Sequence, residues 1–216
     1  MRLVLSTRND HKLRELVPMM RPHELEPLPE GIELPPETGT TFAQNALGKA
    51  RAAALATGHP AIADDSGIEA AALGGAPGVW SARFAGDGAS DEENLAKLLR
   101  DVPPDGDLGA AYVCALAWVD PGGREQVVHG RCEGTLTHEP RGSGGFGYDP
   151  AFVPVDYPGD TRTMAELDPE EKAAISHRGR AARKLARRLS ALEESERPPS
   201  PMRALFGGRR RRERSR

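Results

Sequence analysis

Residues 111–137, AYVCALAWVDPGGREQVVHGRCEGTLT, decide the fold. Segments 111–119 and 125–137 are dominated by strand-forming residues, and the Asp120-Pro121-Gly122-Gly123 between them is turn chemistry. The stretch therefore predicts two long strands folded into an antiparallel hairpin. Toward the N-terminus, RLVLS at 2–6 predicts a short buried strand, and Leu13, Leu16, Val17 and Met20 at helical spacing predict a helix over 9–20. Residues 30–39, rich in Pro, Glu and Gly, predict a loop; Thr41 with Gln44 predicts a capping box opening a helix that runs through Thr57 and ends at Gly58. The apolar run 60–63 is followed by the polar cluster Asp64-Asp65-Ser66-Gly67, and 74–78 is glycine- and proline-rich, so two loops are expected beside one sheet. Ser90 with Glu93, and Asp168 with Glu171, predict further helix starts, and Leu185, Leu189 and Leu192 mark the apolar stripe of a long, arginine-rich helix. Helices interleaved with strands, plus one hairpin, predict an α/β fold with a mixed sheet.

A chain of 216 residues supports one sizeable core, or two lobes sharing a sheet. With 29 Lys plus Arg against 32 Asp plus Glu, the net charge of −3 gives no overall field for nucleic acid, so no specific nucleic-acid binding is expected. Two cysteines, Cys114 and Cys132, do not make a disulfide framework and suit a reducing cytoplasm. The opening MRLVLST lacks the apolar core of a signal peptide, and no stretch approaches the roughly 20 apolar residues of a membrane span. A soluble, unexported protein is expected. Residues 1–194 read as one domain and the Pro/Arg-rich 195–216, ending RRRRERSR, as a disordered tail.

Thr7-Arg8-Asn9-Asp10-His11-Lys12 sits where the first strand meets the first helix, so main-chain amides and Lys12 are placed to face an anion. The alternative is a capping Asn9 and a solvated Lys12. Asp64 and Asp65 follow a buried run, where adjacent acids need hydrogen bonds or a metal, and on an extended chain they point to opposite sides. Glu37 offers a second hard oxygen, and one or two carboxylates plus substrate phosphates is a usual Mg²⁺ set; an Asx-turn beside a solvated glutamate is the bland alternative. The glycine-rich Ser143-Gly144-Gly145-Phe146-Gly147-Tyr148-Asp149 suits a loop that approaches and stacks on a flat ring, although Phe146 also suits a core. Lys172 and Ser176-His177-Arg178 supply donors for phosphate or purine carbonyls, or simply a helix cap and a basic face.

Five collinear segments carry a resemblance: TxNxxK at 7–12, PETGTTFAQNAxxKA at 36–50, ADDSGIEAxxLGGAPGVWSARF at 63–84, GGFGYDPxF at 144–152 and AELxxEEKxAISHRG at 165–179. Over residues 1–192 the chain resembles the inosine/xanthosine triphosphate pyrophosphatase family, departing from it at Arg8, where glycine is frequent, and after residue 192. The resemblance implies an elongated, two-lobed α/β fold with a central twisted mixed sheet, a nucleotide cleft between the lobes, and a homodimer. It implies Mg²⁺-dependent hydrolysis of ITP, dITP and XTP to monophosphate and pyrophosphate, clearing these nucleotides from the precursor pool. By the same resemblance, the segment Thr7 to Lys12 and Lys49 serve the phosphates, Glu37 and Asp65 hold Mg²⁺, and Asp65 is the proton acceptor. Phe146, Gly147, Tyr148 and Asp149 enclose the base, with Ser66, Arg83, Lys172, His177 and Arg178 completing the substrate contacts. Rival readings are a pyrophosphatase for modified pyrimidine nucleotides and a nucleotide or RNA sensor; carboxylates beside a polyphosphate oppose the second unless a cation intervenes.

Overall fold

The computed structural model describes residues 1–197. The elements run β1 (Arg2–Leu5), α1 (Asp10–Met19), β2 (Glu24–Pro27), α2 (Phe42–Thr57), β3 (Ala61–Ala70), α3 (Asp91–Asp101), β4 (Gly109–Val119), β5 (Glu125–Leu136), β6 (Phe152–Pro154), α4 (Pro169–Ile175) and α5 (His177–Glu196). Short 3-10 turns occupy Ala71–Leu73, Gly78–Arg83 and Asp149–Ala151. The six strands form one mixed sheet in the order β2-β1-β3-β4-β5-β6; β1 is parallel to β2 and β3, and the remaining pairs are antiparallel.

The predicted hairpin is present, with β4 and β5 paired from Val119↔Glu125 to Gly109↔Thr135. Its turn closes because Gly123 N–H donates to Asp120 O at 3.0 Å and Asp120 Oδ1 accepts from Arg124 N at 2.8 Å. β4 is buried along most of its length because both faces are covered. Cys114, Leu116 and Trp118 meet Leu185 and Leu189 of α5, while Ala115, Ala117 and Val119 meet the alanine face of α2. Each fully buried leucine contributes about 1.5–3 kcal/mol. A further core gathers Ile68, Tyr112, Leu136 and Phe152 with Leu98 of α3 and Ile175 of α4 at the far ends of the central strands. Those two regions are the lobes that share the sheet.

Caps set most helix boundaries as expected. Ser90 with Glu93, and Asp168 with Glu171, are complete capping boxes, and Gly58 ends α2 at φ 66°. At α2 the box is displaced by one residue: Thr41 Oγ1 accepts from Gln44 N at 3.2 Å, but Gln44 Oε1 accepts from Thr40 N at 2.8 Å.

Two expectations are corrected, and two strands appear that the sequence does not predict. Asp64-Asp65-Ser66-Gly67 is not a loop but the middle of β3, paired with Leu116, Ala115, Cys114 and Val113 of β4, because buried cations offset the charge of Asp64 through its Oδ2 and an amide holds Asp65 Oδ2 there, while Asp64 Oδ1 stays unpartnered among the described residues. Strands β2 and β6 escaped the sequence because they are short edge strands of four and three residues, too brief for a period to register. Helix α5 continues through Ser195 and Glu196, two residues into the segment read as a tail, whose remainder from 198 lies outside the described residues.

Candidate active site

β1 runs beside β3 only at Val4↔Ala61 and Leu5↔Ile62, and the last bond between the two segments is Ser6 N–H to Ile62 O at 2.7 Å. Beyond Ile62 that edge of β3 has no strand partner among the described residues until the bridge of Glu69 to Pro77. A cleft of about 310 Å³ opens along this free edge, within the range of small-molecule sites. Side chains from both sheet faces reach it: Asp65 from the α2 side, and Ser66 with Arg178 from the α5 side.

At one end stands the first turn of α1. Asn9 caps the helix, its Oδ1 accepting from His11 N at 2.9 Å and Lys12 N at 3.2 Å, and Thr7 Oγ1 accepts from Asn9 N at 3.2 Å. Thr7, Arg8, Asn9 and Lys12 line the cleft; Asp10 and His11 do not, although the His11 ring lies 5.1 Å from that of Phe146. The guanidinium of Arg8 turns away to main-chain carbonyls of residues 28–32.

The acidic corner lies on the α2 face. Lys49 Nζ donates to Glu37 Oε1 and stands 3.7 Å from Asp65 Oδ1, so two carboxylates converge on one ammonium. Asn45 Nδ2 donates to Asp65 Oδ2 at 2.9 Å, while Asn45 Oδ1 accepts from Gly39 N at 2.7 Å and ties the Glu37 loop to the same side chain. Burial pushes the Asp65 carboxyl up; Lys49 pulls against it and Glu37 adds to it. Lys49 is itself held charged, because the attraction of Asp64, Glu37 and Asp65 outweighs its burial. Asp64 does not line the cleft. Fully buried beneath it, its Oδ2 meets Lys12 Nζ at 3.0 Å and Arg178 Nε at 3.2 Å, and these with Lys49 overcome desolvation to hold the carboxyl well below its usual range.

The opposite end is built by the 144–149 loop and the α4–α5 junction. Asp149 accepts from Tyr112 Oη at 3.0 Å, Phe146 N at 2.9 Å and Lys172 Nζ at 2.8 Å. Gly145 is required there: at φ 72° its added Cβ would lie 2.0 Å from Asp149 Oδ2. Tyr112 keeps its proton because burial, then Asp149, raise its pKa far up. Lys172 and Arg178 sit 5.2 and 5.6 Å from the Phe146 ring centroid, and both are anchored by Glu15 of α1. His177 stacks on Tyr112 at 4.7 Å and is neutral, because burial, then Arg178 and Lys172, push it well below its usual 6.5. Ser176 caps α5, accepting from Gly179 N at 3.0 Å.

The sequence pattern of the Ham1 family matches residues 3–188. The chain belongs to the Ham1 family. It is 55% identical to a dITP/XTP pyrophosphatase of Frankia alni over 86% of this chain and 96% of that protein, and 50% identical to one of Streptomyces coelicolor over 85% and 94%. Among solved structures, a HAM1 protein from Coxiella burnetii superposes with a TM-score of 0.80 at 43% identity, covering 88% of this chain and 99% of that one. A nucleoside-triphosphatase / dITP/XTP pyrophosphatase from Mycobacterium abscessus gives 0.67 at 46% identity, covering 86% and 97%.

In this Ham1 protein the cleft gathers Thr7, Arg8, Asn9, Lys12, Glu37, Lys49, Asp65, Ser66, Phe146, Tyr148, Asp149, Lys172, His177 and Arg178 of the expected residues. Gly147 lies outside the lining, its N–H donating to Asp91 Oδ2 at 2.7 Å. Arg83 also lies outside, donating to Glu37 O at 3.1 Å and stacking on Trp80 at 4.4 Å. Asn45 and Glu15 were missed by the sequence reading. Asn45 had a signal, since it stands one turn before Lys49 on the buried face of α2; Glu15 stands three residues after Lys12 on α1, a weaker one.

Proposed function

We propose that this protein hydrolyses ITP, dITP and XTP to the monophosphate and pyrophosphate. One observation carries the reading: a single cleft joins two carboxylates converging on a cation to an end lined by Phe146, Lys172, His177 and Arg178. The extensive identity to dITP/XTP pyrophosphatases supports the same chemistry.

Mg²⁺ is the cofactor of this reading. Glu37 and Asp65 fit it, because both already face one cationic group and two carboxylates suffice when phosphates complete the shell. When bound, the ion neutralises phosphate charge and lowers the pKa of attacking water.

The protein's own groups divide the remaining work. Thr7, Asn9 and the amino-terminal turn of α1 bind and orient the triphosphate, and Lys12 and Lys49 offset charge developing on the pyrophosphate leaving group. Asp65, fixed by Asn45, orients the water aimed at the α-phosphorus; its raised pKa suits proton acceptance, while sharing its charge with a metal weakens that role. At the base end the cations Lys172 and Arg178 match the 6-oxo acceptor of hypoxanthine and xanthine. Adenine presents a 6-amino donor there and leaves buried groups unpaired, a mismatch that hydrogen-bond-reading sites reject by roughly 10⁴.

A cytoplasmic homodimer completes the proposal, supported by family membership and by the two buried free thiols, Cys114 and Cys132. No helix among the described residues is long and apolar enough to cross a membrane. A panel of ITP, dITP, XTP, GTP and ATP tests the substrate assignment. The first three should exceed ATP in kcat/KM by orders of magnitude, and equal turnover of ATP would refute it.

A further inference from the structure

Arg8 departs from the frequent glycine of its motif, and its side chain is engaged in a way that a substrate contact is not. Nη1 donates to Leu28 O at 2.8 Å, and Nη2 donates to Pro29 O at 2.8 Å and Ile32 O at 2.9 Å. No carboxylate lies within 4.0 Å of it among the described residues. The planar fork of arginine is suited to gripping several oxygens at once; a lysine ammonium is a point donor.

The gripped carbonyls open the connection from β2, which ends at Pro27, to α2, which begins at Phe42. That connection has no helix or strand of its own, yet it carries Leu34 and Glu37 into the cleft. Long loops of this kind keep one conformation only where side chains hold them. The second half is held by Asn45 on Gly39 N, by Arg83 on Glu37 O and by Lys49 on the Glu37 carboxylate. The first half has Arg8 and the burial of Leu28.

We propose that Arg8 is a positioning residue whose guanidinium clasps the 28–32 main chain and so sets the placement of Glu37, instead of binding substrate phosphate through its side chain. The proposal rests on the pyrophosphatase reading for its consequence in catalysis, though not for the clasp itself. Removing the fork frees the first half of the loop while leaving the α1 cap and Lys12 untouched. Glu37 then samples positions away from Asp65, and its cation affinity falls before nucleotide affinity does.

The test compares wild type with Arg8→Lys and Arg8→Gly. Hydrogen exchange of peptides spanning 28–39 is followed in the free protein, without metal or nucleotide. Both variants should exchange at least about fivefold faster there, with the rest of the chain unchanged, as expected for losing a few hydrogen bonds. In ITP hydrolysis, the Mg²⁺ concentration for half activation should rise by about five- to tenfold in both, with KM for ITP at saturating Mg²⁺ changed less than about twofold. Retention of wild-type exchange and Mg²⁺ response by Arg8→Lys would overturn the clasp, since charge alone would then suffice. A rise in KM for ITP with unchanged exchange would overturn it in favour of a phosphate contact. If wild type fails to hydrolyse ITP, the pyrophosphatase reading fails while the exchange result still decides the clasp.

Discussion

Asp64 and Asp65 are neighbours in the chain and work on opposite faces of β3: Asp64 Oδ2 lies 3.2 Å from Arg178 Nε on the α5 side, and Asp65 Oδ2 lies 2.9 Å from Asn45 Nδ2 on the α2 side. One acid lies beneath the cleft and holds Lys12 and Arg178 of its lining; the other is presented to the cleft. Their substitutions should separate.

Asp64→Asn leaves Lys12 and Arg178 without their shared buried counter-charge. Removing one partner of a buried pair costs about 3–5 kcal/mol. Urea unfolding should show a loss of that order, together with weakened ITP hydrolysis. Wild-type stability would show that Glu15 alone compensates Arg178.

Asp65→Asn keeps side-chain volume and the Asn45 contact surface but removes a charge from the acidic corner. The fold should survive, with near-wild-type thermal unfolding, while turnover falls by far more than tenfold. Activity above about a tenth of wild type, a barrier change under roughly 1.4 kcal/mol, would rule out an essential role.

His177 gives a pH signature. Its folded pKa is depressed, so the unfolded chain binds the proton first as pH falls below 6.5. Stability is therefore complete above that value and declines on acidification, with a slope of at most about 1.4 kcal/mol per pH unit from this group. Unfolding free energies between pH 7.5 and 5 should fall more steeply in wild type than in His177→Gln. Equal slopes would mean the imidazole is not buried neutral. That range reaches about one unit above and about one and a half units below the ordinary histidine value.

Gly130→Ala tests how α5 is seated. A Cβ there would lie 1.9 Å from His177 O and 2.7 Å from Ala181 N, so the start of α5 must move off β5. Overpacking of this kind costs about 1–3 kcal/mol, and the shift should also lower ITP turnover by displacing His177 and Arg178. Unchanged stability and activity would show that the helix can shift freely.

Legibility in the sequence followed the range of the interactions. The β4–β5 hairpin and the caps at Ser90 and Asp168 are local, so turn and capping chemistry exposed them. Most of the charged cleft residues were legible through long collinear motifs, which a single-residue argument left ambiguous, whereas Asp91, Asn94 and Tyr112 of the same lining were not. What stayed hidden depends on distant partners. The carboxylates of Asp64 and Asp65 looked like turn residues because the cations that let them sit in a strand come from α1, α2 and α5. Glu15 meets Arg178 across most of the chain, and Arg8 meets carbonyls that carry no side-chain signature at all.

The most direct test of the central claim is the product pair. Purified protein is incubated with ITP and Mg²⁺ and followed by ³¹P NMR. IMP and pyrophosphate are expected in equal amounts from the first time point, with no IDP; appearance of IDP with orthophosphate would place the attack at the γ-phosphorus and contradict pyrophosphatase chemistry.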